Sequence, residues 1–417
     1  MAKILLYIIK SVPGWIVVCI IPFINLIRKI KNKAPVPKEK FCQFDYQNDS
    51  SKLIMIHGVS VGEVLSLENL IREIKKQFPS YKLVITTGTL TGQQLAQKKY
   101  GVFADCITYF PLDFYKNTKK FLEKINPSVI LIAETELWPN FCFCAYEKNI
   151  PLYLINARIS DKSYPSYLKI KEFTKLILEC FSGVFCQSEI DKKRFIALGA
   201  KKDSTLVMKN LKFEIEKKEC DIDLKKGDSK LLIAASTHKG EEEIVVRTYK
   251  KLKEKVSNLK LLLAPRHLTR VESVVKILNN NSLNFGYRTK NDDFSTKDVL
   301  LLDTLGELSK TYKLCDIAFI GGSFNKTGGH NPLEAAIFSK PTVSGPCIKN
   351  FRDIYSILEN DGASFVVKNE KELYNTLEKL FLDEAFYSNS QQNCKKCFSN
   401  QQGALKFVVN ELKKIIN

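Results

Sequence analysis

The 417-residue sequence predicts an α/β protein built from two doubly wound, parallel-sheet domains in tandem. Three observations point there. The length exceeds what one core of ~150–200 residues organises. Short apolar runs alternate with longer amphipathic ones over residues 53–186 and again over 230–339, the pattern of β–α units feeding a parallel sheet. Between the two series, residues 214–230 are charged and lack any apolar period, which reads as a linker.

In the first series, residues 53–56, 82–86, 129–133, 152–156 and 183–186 are strands, each a short, largely apolar run. Residues 61–76 and 91–99 carry helical periodicity. In the second, the strands are 230–235, 260–264, 298–302 and 317–320, with helices at 241–256, 269–279, 305–314 and 332–339. The expected organisation is therefore an anchor at 1–30, a first domain at 31–213, a linker at 214–229 and a second domain at 230–417. Two such domains place a cleft between them, and ligands of doubly wound sheets sit beyond the carboxyl ends of the strands.

The N-terminus is the most apolar stretch. The cleanest run, residues 11–27, is at the short end of what spans a bilayer, and Arg28, Lys29, Lys31, Lys33, Lys38 and Lys40 follow it. A cleaved signal carries its charge before the apolar core and ends in a small-residue site. Here the charge follows, so the expectation is an uncleaved single anchor on the cytoplasmic side of the inner membrane, crossing it or lying in the interface. A buried helix of the first domain is the plainer reading.

The formal charge is +19. A solvated Lys-rich surface accounts for it, as does attraction to an anionic membrane or a phosphorylated substrate. No helix-turn-helix or RNP pattern is present, so no nucleic-acid partner is expected. The twelve cysteines form no regular framework, and several sit in apolar runs as small hydrophobes. Cys394 and Cys397 make a lone C-x-x-C, and a zinc ribbon needs two. Asp221 and Asp223 have the D-x-D form of metal-dependent glycosyltransferases but lie in the charged linker, which reads as solvated, so no metal site is expected.

The informative residues follow the strands. After the first comes His57-Gly58-Val59-Ser60-Val61-Gly62-Glu63. Ser60 and Glu63 have capping-box spacing, which explains both structurally; a glutamate facing a cleft would equally serve as a general base. After 129–133 comes Glu134-Thr135-Glu136-Leu137-Trp138-Pro139-Asn140. After 152–156, Arg158 would clamp an anionic group or form a structural ion pair. Lys212 closes the first half. In the second half, Ser236-Thr237-His238, Pro265-Arg266-His267, Gly306-Glu307-Leu308 and Gly321-Gly322-Ser323 take the equivalent places. The sharpest segment is Gly328-Gly329-His330-Asn331-Pro332-Leu333-Glu334. Asn331 fits an N-cap with Pro332 in the first helical position. The helix start favours a nucleotide phosphate. Glu334 complements the helix dipole or accepts bonds from ribose hydroxyls.

In this order, HGVSVGE, ETELWPN, NARIS, NLKFE, STHKGEEE, PRH, GEL, GGSF and GGHNPLE resemble the Kdo (3-deoxy-D-manno-octulosonic acid) transferases of lipopolysaccharide assembly, over roughly residues 50–350. The resemblance implies a GT-B architecture and an inverting, metal-free transfer of Kdo from CMP-Kdo to a lipid A precursor, lipid IVA, with no cofactor. It implies Glu63 as catalytic base, and Glu134 and Lys212 at positions tied to transition-state stabilisation. It implies CMP contacts from Pro265, Arg266, Gly306, Glu307, Leu308, Asn331, Pro332, Leu333 and Glu334. Two alternatives stand beside it: a GT-B enzyme with a UDP-sugar donor, and a non-catalytic basic protein that binds anionic lipid. The second leaves the polar residues after both sets of strands unexplained.

Overall fold

The computed structural model describes residue 25, residues 35–217 and residues 222–416. Apart from Asn25, the expected anchor lies outside the described residues, as does Asp221. The chain forms two compact units, Met1–Glu214 with Gln402–Asn417, and Ile215–Gln401.

The first unit is built on seven strands: β1 (Leu53–His57), β2 (Lys82–Thr87), β3 (Cys106–Tyr109), β4 (Val129–Ala133), β5 (Leu152–Ala157), β6 (Gly183–Cys186) and β7 (Thr205–Val207). They pair in parallel in the order β3-β2-β1-β4-β5-β6-β7. Every residue of β1 and β4 is buried, as expected for central strands covered on both faces. Met55, Ile130 and Ile132 pack with Phe121 and Phe141 on one face. Ile54, Ile56 and Leu131 pack with Leu70, Ile71 and Ile74 on the other.

The expected helix 61–76 is two helices, Val61–Ser66 and Glu68–Gln77, meeting at Leu67. The Ser66 hydroxyl donates to the Glu63 carbonyl at 2.7 Å, a local bond that competes with the helical ladder. Helix Ala404–Ile416 belongs to this unit, whereas the expected second domain ran to residue 417. Its Ala404, Val408, Val409 and Leu412 join the core of Leu70 and Ile74, and Tyr81 Oη donates to the Ile416 carbonyl at 2.9 Å.

The second unit repeats the plan with β8 (Lys230–Thr237), β9 (Leu259–Pro265), β10 (Phe285–Tyr287), β11 (Val299–Leu301), β12 (Ile317–Ile320), β13 (Thr342–Ser344) and β14 (Ser364–Val366). The order is β10-β11-β9-β8-β12-β13-β14, again all parallel. Two expected helices are shorter than read. Helix 305–314 is reduced to Leu308–Thr311, because Gly306 sits at φ +81°, which a right-handed helix does not use. Helix 332–339 is reduced to Leu333–Ala336.

The strand order reverses between β1 and β4 in the first sheet and between β8 and β12 in the second. Such switch points open a crevice at the carboxyl ends of the two strands. His57–Glu63 and Glu134 follow the first pair. His238 and the Gly321–Phe324 loop follow the second. Both loop sets thus stand where the topology places ligands.

Candidate active site

The first cluster grows from the end of β1. Ser60 is the N-cap of helix Val61–Ser66, and its Oγ accepts the Glu63 N–H at 3.4 Å. The Glu63 carboxylate reaches back: Oε2 accepts the Val59 N–H at 2.7 Å and Oε1 accepts the Ser60 hydroxyl at 2.8 Å. The capping box is formed, with Val59 in place of the cap's own N–H. The Val59 carbonyl in turn accepts the N–H groups of Gly88 and Thr89 at 3.1 and 3.2 Å. Gly88 has no room for a side chain: a Cβ there would lie 2.6 Å from Val59 Cγ1.

Glu63 is only 9% exposed. Burial pushes its carboxyl above the ordinary carboxylate range; the Val59 N–H opposes this, nearby Glu134 adds to it, and Ser60 and Lys212 oppose it. A carboxylate offers about four lone-pair positions, and these bonds use two. Capping and proton acceptance therefore fit the same geometry.

Glu134, at the end of β4, is held at φ +58°, a conformation costly for a residue with a Cβ. Its Oε1 accepts from Lys212 Nζ at 2.9 Å and its Oε2 lies 3.6 Å from Arg158 Nε. Lys212 is presented by the turn Leu211–Phe213. That turn is pinned by two asparagines: Asn156 Oδ1 accepts the Leu211 N–H and Asn210 Oδ1 accepts the Lys212 N–H, both at 3.0 Å. Gln187 ties the two together, donating to the Asn156 carbonyl at 3.0 Å and accepting from Asn210 Nδ2 at 3.2 Å. Asn156 itself sits at φ +51° where the β5–β6 register shifts, and such a bulge re-aims side chains at a strand end. Glu63, Glu134 and Lys212, singled out in the sequence, are thus brought together.

Glu136, named beside Glu134 in the sequence but given no role there, is partly buried. Burial, then the charges of Glu63 and Glu134, push its carboxyl up to about 7, against a hydrogen bond from Trp138. Its place two residues after Glu134 was the available signal.

In the second unit, Ser236 at φ +53° makes a bulge at the end of β8, and the chain turns into Thr237-His238. Three of the chain's four histidines gather here. His238 Nε2 lies 2.9 Å from His330 Nε2 with the rings nearly parallel, and His267 meets His238 edge-on at 5.6 Å between ring centroids. Burial holds His330 down to about 4, helped by His238, Arg266 and His267. Pro265 is buried at the end of β9, and exposed Arg266 donates its backbone N–H to the Thr237 carbonyl at 2.9 Å.

Asn331 Oδ1 accepts the Leu333 N–H at 3.1 Å, and Pro332 has helical angles, so the expected cap forms on a helix of a single turn. Leu333 is buried and Glu334 exposed. Glu307 was expected at the nucleotide; its carboxylate is engaged by Arg288 at 3.2 Å and by Thr304 Oγ1 at 2.5 Å, with Gly306 and Leu308 on either side. Among the described residues, no group of three His, Cys, Asp or Glu is placed to hold a metal ion.

Comparison with known proteins fits this arrangement. Residues 36–215 match the family model described as 3-deoxy-D-manno-octulosonic-acid transferase (kdotransferase). The 3-deoxy-D-manno-octulosonic acid transferase of Haemophilus influenzae is 36% identical over 73% of this chain and 73% of its own length. A bifunctional glycosyltransferase/methyltransferase of Fusobacterium nucleatum is 36% identical over 85% of this chain, which spans only 58% of that longer protein. Among solved structures, a Listeria monocytogenes protein described as a UDP-N-acetylglucosamine 2-epimerase superposes with a TM-score of 0.55 over 87% of this chain and 96% of its own. Its 12% identity speaks to the shared two-sheet GT-B fold alone. With relatives this similar over most of its length, the chain belongs to the 3-deoxy-D-manno-octulosonic acid transferase family.

Proposed function

We propose that this member of the family is an inverting glycosyltransferase that moves Kdo from CMP-Kdo onto a lipid A precursor, lipid IVA, without a metal ion. The observation that carries the reading is Glu63: a desolvated carboxylate, its proton affinity raised, beside the Glu134–Lys212–Arg158 ion cluster. In the transfer, an acceptor hydroxyl oxygen bonds to the anomeric carbon and the carbon–phosphate oxygen bond breaks. The hydroxyl proton passes to Glu63, and CMP leaves with the electron pair. Raised proton affinity makes a carboxylate a stronger base near neutral pH.

The second unit supplies the donor contacts in this reading: Pro265, Arg266 and the segments Gly306–Leu308 and Asn331–Glu334. Arg266 and the neighbouring histidines offer hydrogen-bond donors for the anionic donor. Glu134 keeps Lys212 and Arg158 in place, which gives that carboxylate a use beside an anionic substrate. The +19 charge suits an anionic membrane surface, with residues 1–30 as an anchor on the cytoplasmic side of the inner membrane.

Titration of the protein with CMP and with UDP tests the donor. Binding of CMP in preference to UDP is the expected result; preference for UDP would favour the alternative class of donor.

A further inference from the structure

Glu241 opens helix Glu241–Lys253 and is 1% exposed. Its carboxylate accepts four backbone N–H groups. Oε2 takes those of His238 and Gly322 at 2.9 and 2.7 Å, and Oε1 takes those of Ser323 and Phe324 at 2.8 and 2.9 Å. Converging backbone N–H groups make an anion-binding nest. Here the protein's own side chain fills it, and four charge-assisted bonds offset the lost hydration of the buried charge.

The gripped loop holds the next segment in turn. The Gly322 carbonyl accepts the N–H groups of Gly328 and Gly329 at 3.1 and 2.7 Å, and the Gly321 carbonyl accepts that of His330 at 3.2 Å. Ser323 Oγ donates to the Ile320 carbonyl at 2.7 Å and accepts the Gly345 N–H at 2.8 Å. The loop packs without slack: a Cβ on Gly321 would meet the Ser236 carbonyl oxygen at 2.5 Å. His238 and His330, the two imidazoles 2.9 Å apart, are thus both fixed by backbone bonds that lead to Glu241. A glutamate in a first helical turn needs only proximity to complement the dipole. Full burial with four bonds to two other loops does more than that.

We propose that Glu241 is a positioning residue for the donor nucleotide. It ties the loop after β8 to the loop after β12, and through the latter sets the backbone of residues 328–331 and the His238–His330 pair. The inference rests on the proposed reading that these segments receive the donor.

Glu241→Gln tests it. The amide keeps the shape of the side chain but turns an NH2 toward two of the four N–H donors, which lose their acceptor. CMP should bind at least ~10-fold more weakly, with the KM for donor raised, the KM for acceptor unchanged and kcat altered less. Leu377→Ala, a cavity on helix Glu370–Leu382 in the same unit, serves as the stability-matched control. It should lower Tm while leaving CMP affinity within ~2-fold. If the Gln variant does not fold, Glu241→Asp, whose shorter side chain reaches fewer of the donors, enters the same comparison. A folded Glu241 variant whose CMP affinity matches that of Leu377→Ala would overturn the proposal. The wild type is titrated first with CMP and UDP. Binding of UDP alone would overturn the donor reading and move the Glu241 comparison onto UDP, while binding of neither would overturn both.

Discussion

Glu134 and Lys212 stand 78 residues apart in the chain and 2.9 Å apart in the structure. The contact joins the end of β4 to the turn Leu211–Phe213, beside the buried Glu63 carboxylate. Three carboxylates and two cations share this corner, and the charge on Glu134 raises the proton affinity of both Glu63 and Glu136.

That coupling sets the sign of a pH effect. Glu134 holds the Glu63 carboxyl up, and Lys212 holds it down. Glu134→Gln removes the first influence and leaves Lys212 uncompensated. Both changes lower the proton affinity of Glu63, so the acid limb of the pH–rate profile should move to lower pH. Lys212→Ala should move the same limb to higher pH. Equal limbs in both variants would detach these residues from Glu63.

Glu63→Gln separates its two roles. The amide still accepts the Val59 N–H, so melting should stay close to wild type, with a stability loss below ~1 kcal/mol. It accepts no proton, so turnover should fall by ~10²-fold or more while CMP binding persists. A Gln variant that turns over normally would leave Glu63 as a helix cap alone.

Glu136 should show itself in stability. Its carboxyl is raised from 4.5 to about 7 in the folded state. A raised acid binds protons more tightly when folded, so its contribution is present below pH 4.5 and is lost as pH rises through 7. Glu136→Gln removes a charge that costs stability only above that window. The Tm of the variant relative to wild type should therefore be higher at pH 8 than at pH 5. A difference independent of pH would contradict the assignment.

The last helix gives a test of the fold. Deleting residues 404–417 uncovers the apolar face of helix Glu68–Gln77, a loss on the order of 5 kcal/mol for four buried side chains. Amide exchange in helix Glu68–Gln77 should accelerate, while helix Glu370–Leu382 keeps its protection. Faster exchange confined to the second unit would contradict the packing found here.

Much of this was legible because the central strands β1, β4, β8 and β12 are mostly apolar runs, and the chemistry sits directly after them. Glu63, Glu134 and Arg266 were found by that position. The edge strands β3, β7, β10 and β14, and β13 beside the last of them, are three or four residues long, too short for a period to register. The break at Leu67 was hidden because apolar residues keep helical spacing across it. Helix Ala404–Ile416 announces an apolar face, but periodicity does not say which sheet the face covers. The first-turn position of Glu241 has a local explanation that conceals its bonds to Gly322, Ser323 and Phe324, more than 80 residues on.

The most direct measurement of the central claim is transfer itself. The protein is incubated with CMP-Kdo and lipid IVA, with and without EDTA, and the lipid is weighed by mass spectrometry. The account predicts lipid heavier by whole Kdo units under both conditions, and none with Glu63→Gln on the same time scale. Unmodified lipid with CMP-Kdo, alongside transfer from a UDP-sugar, would contradict it.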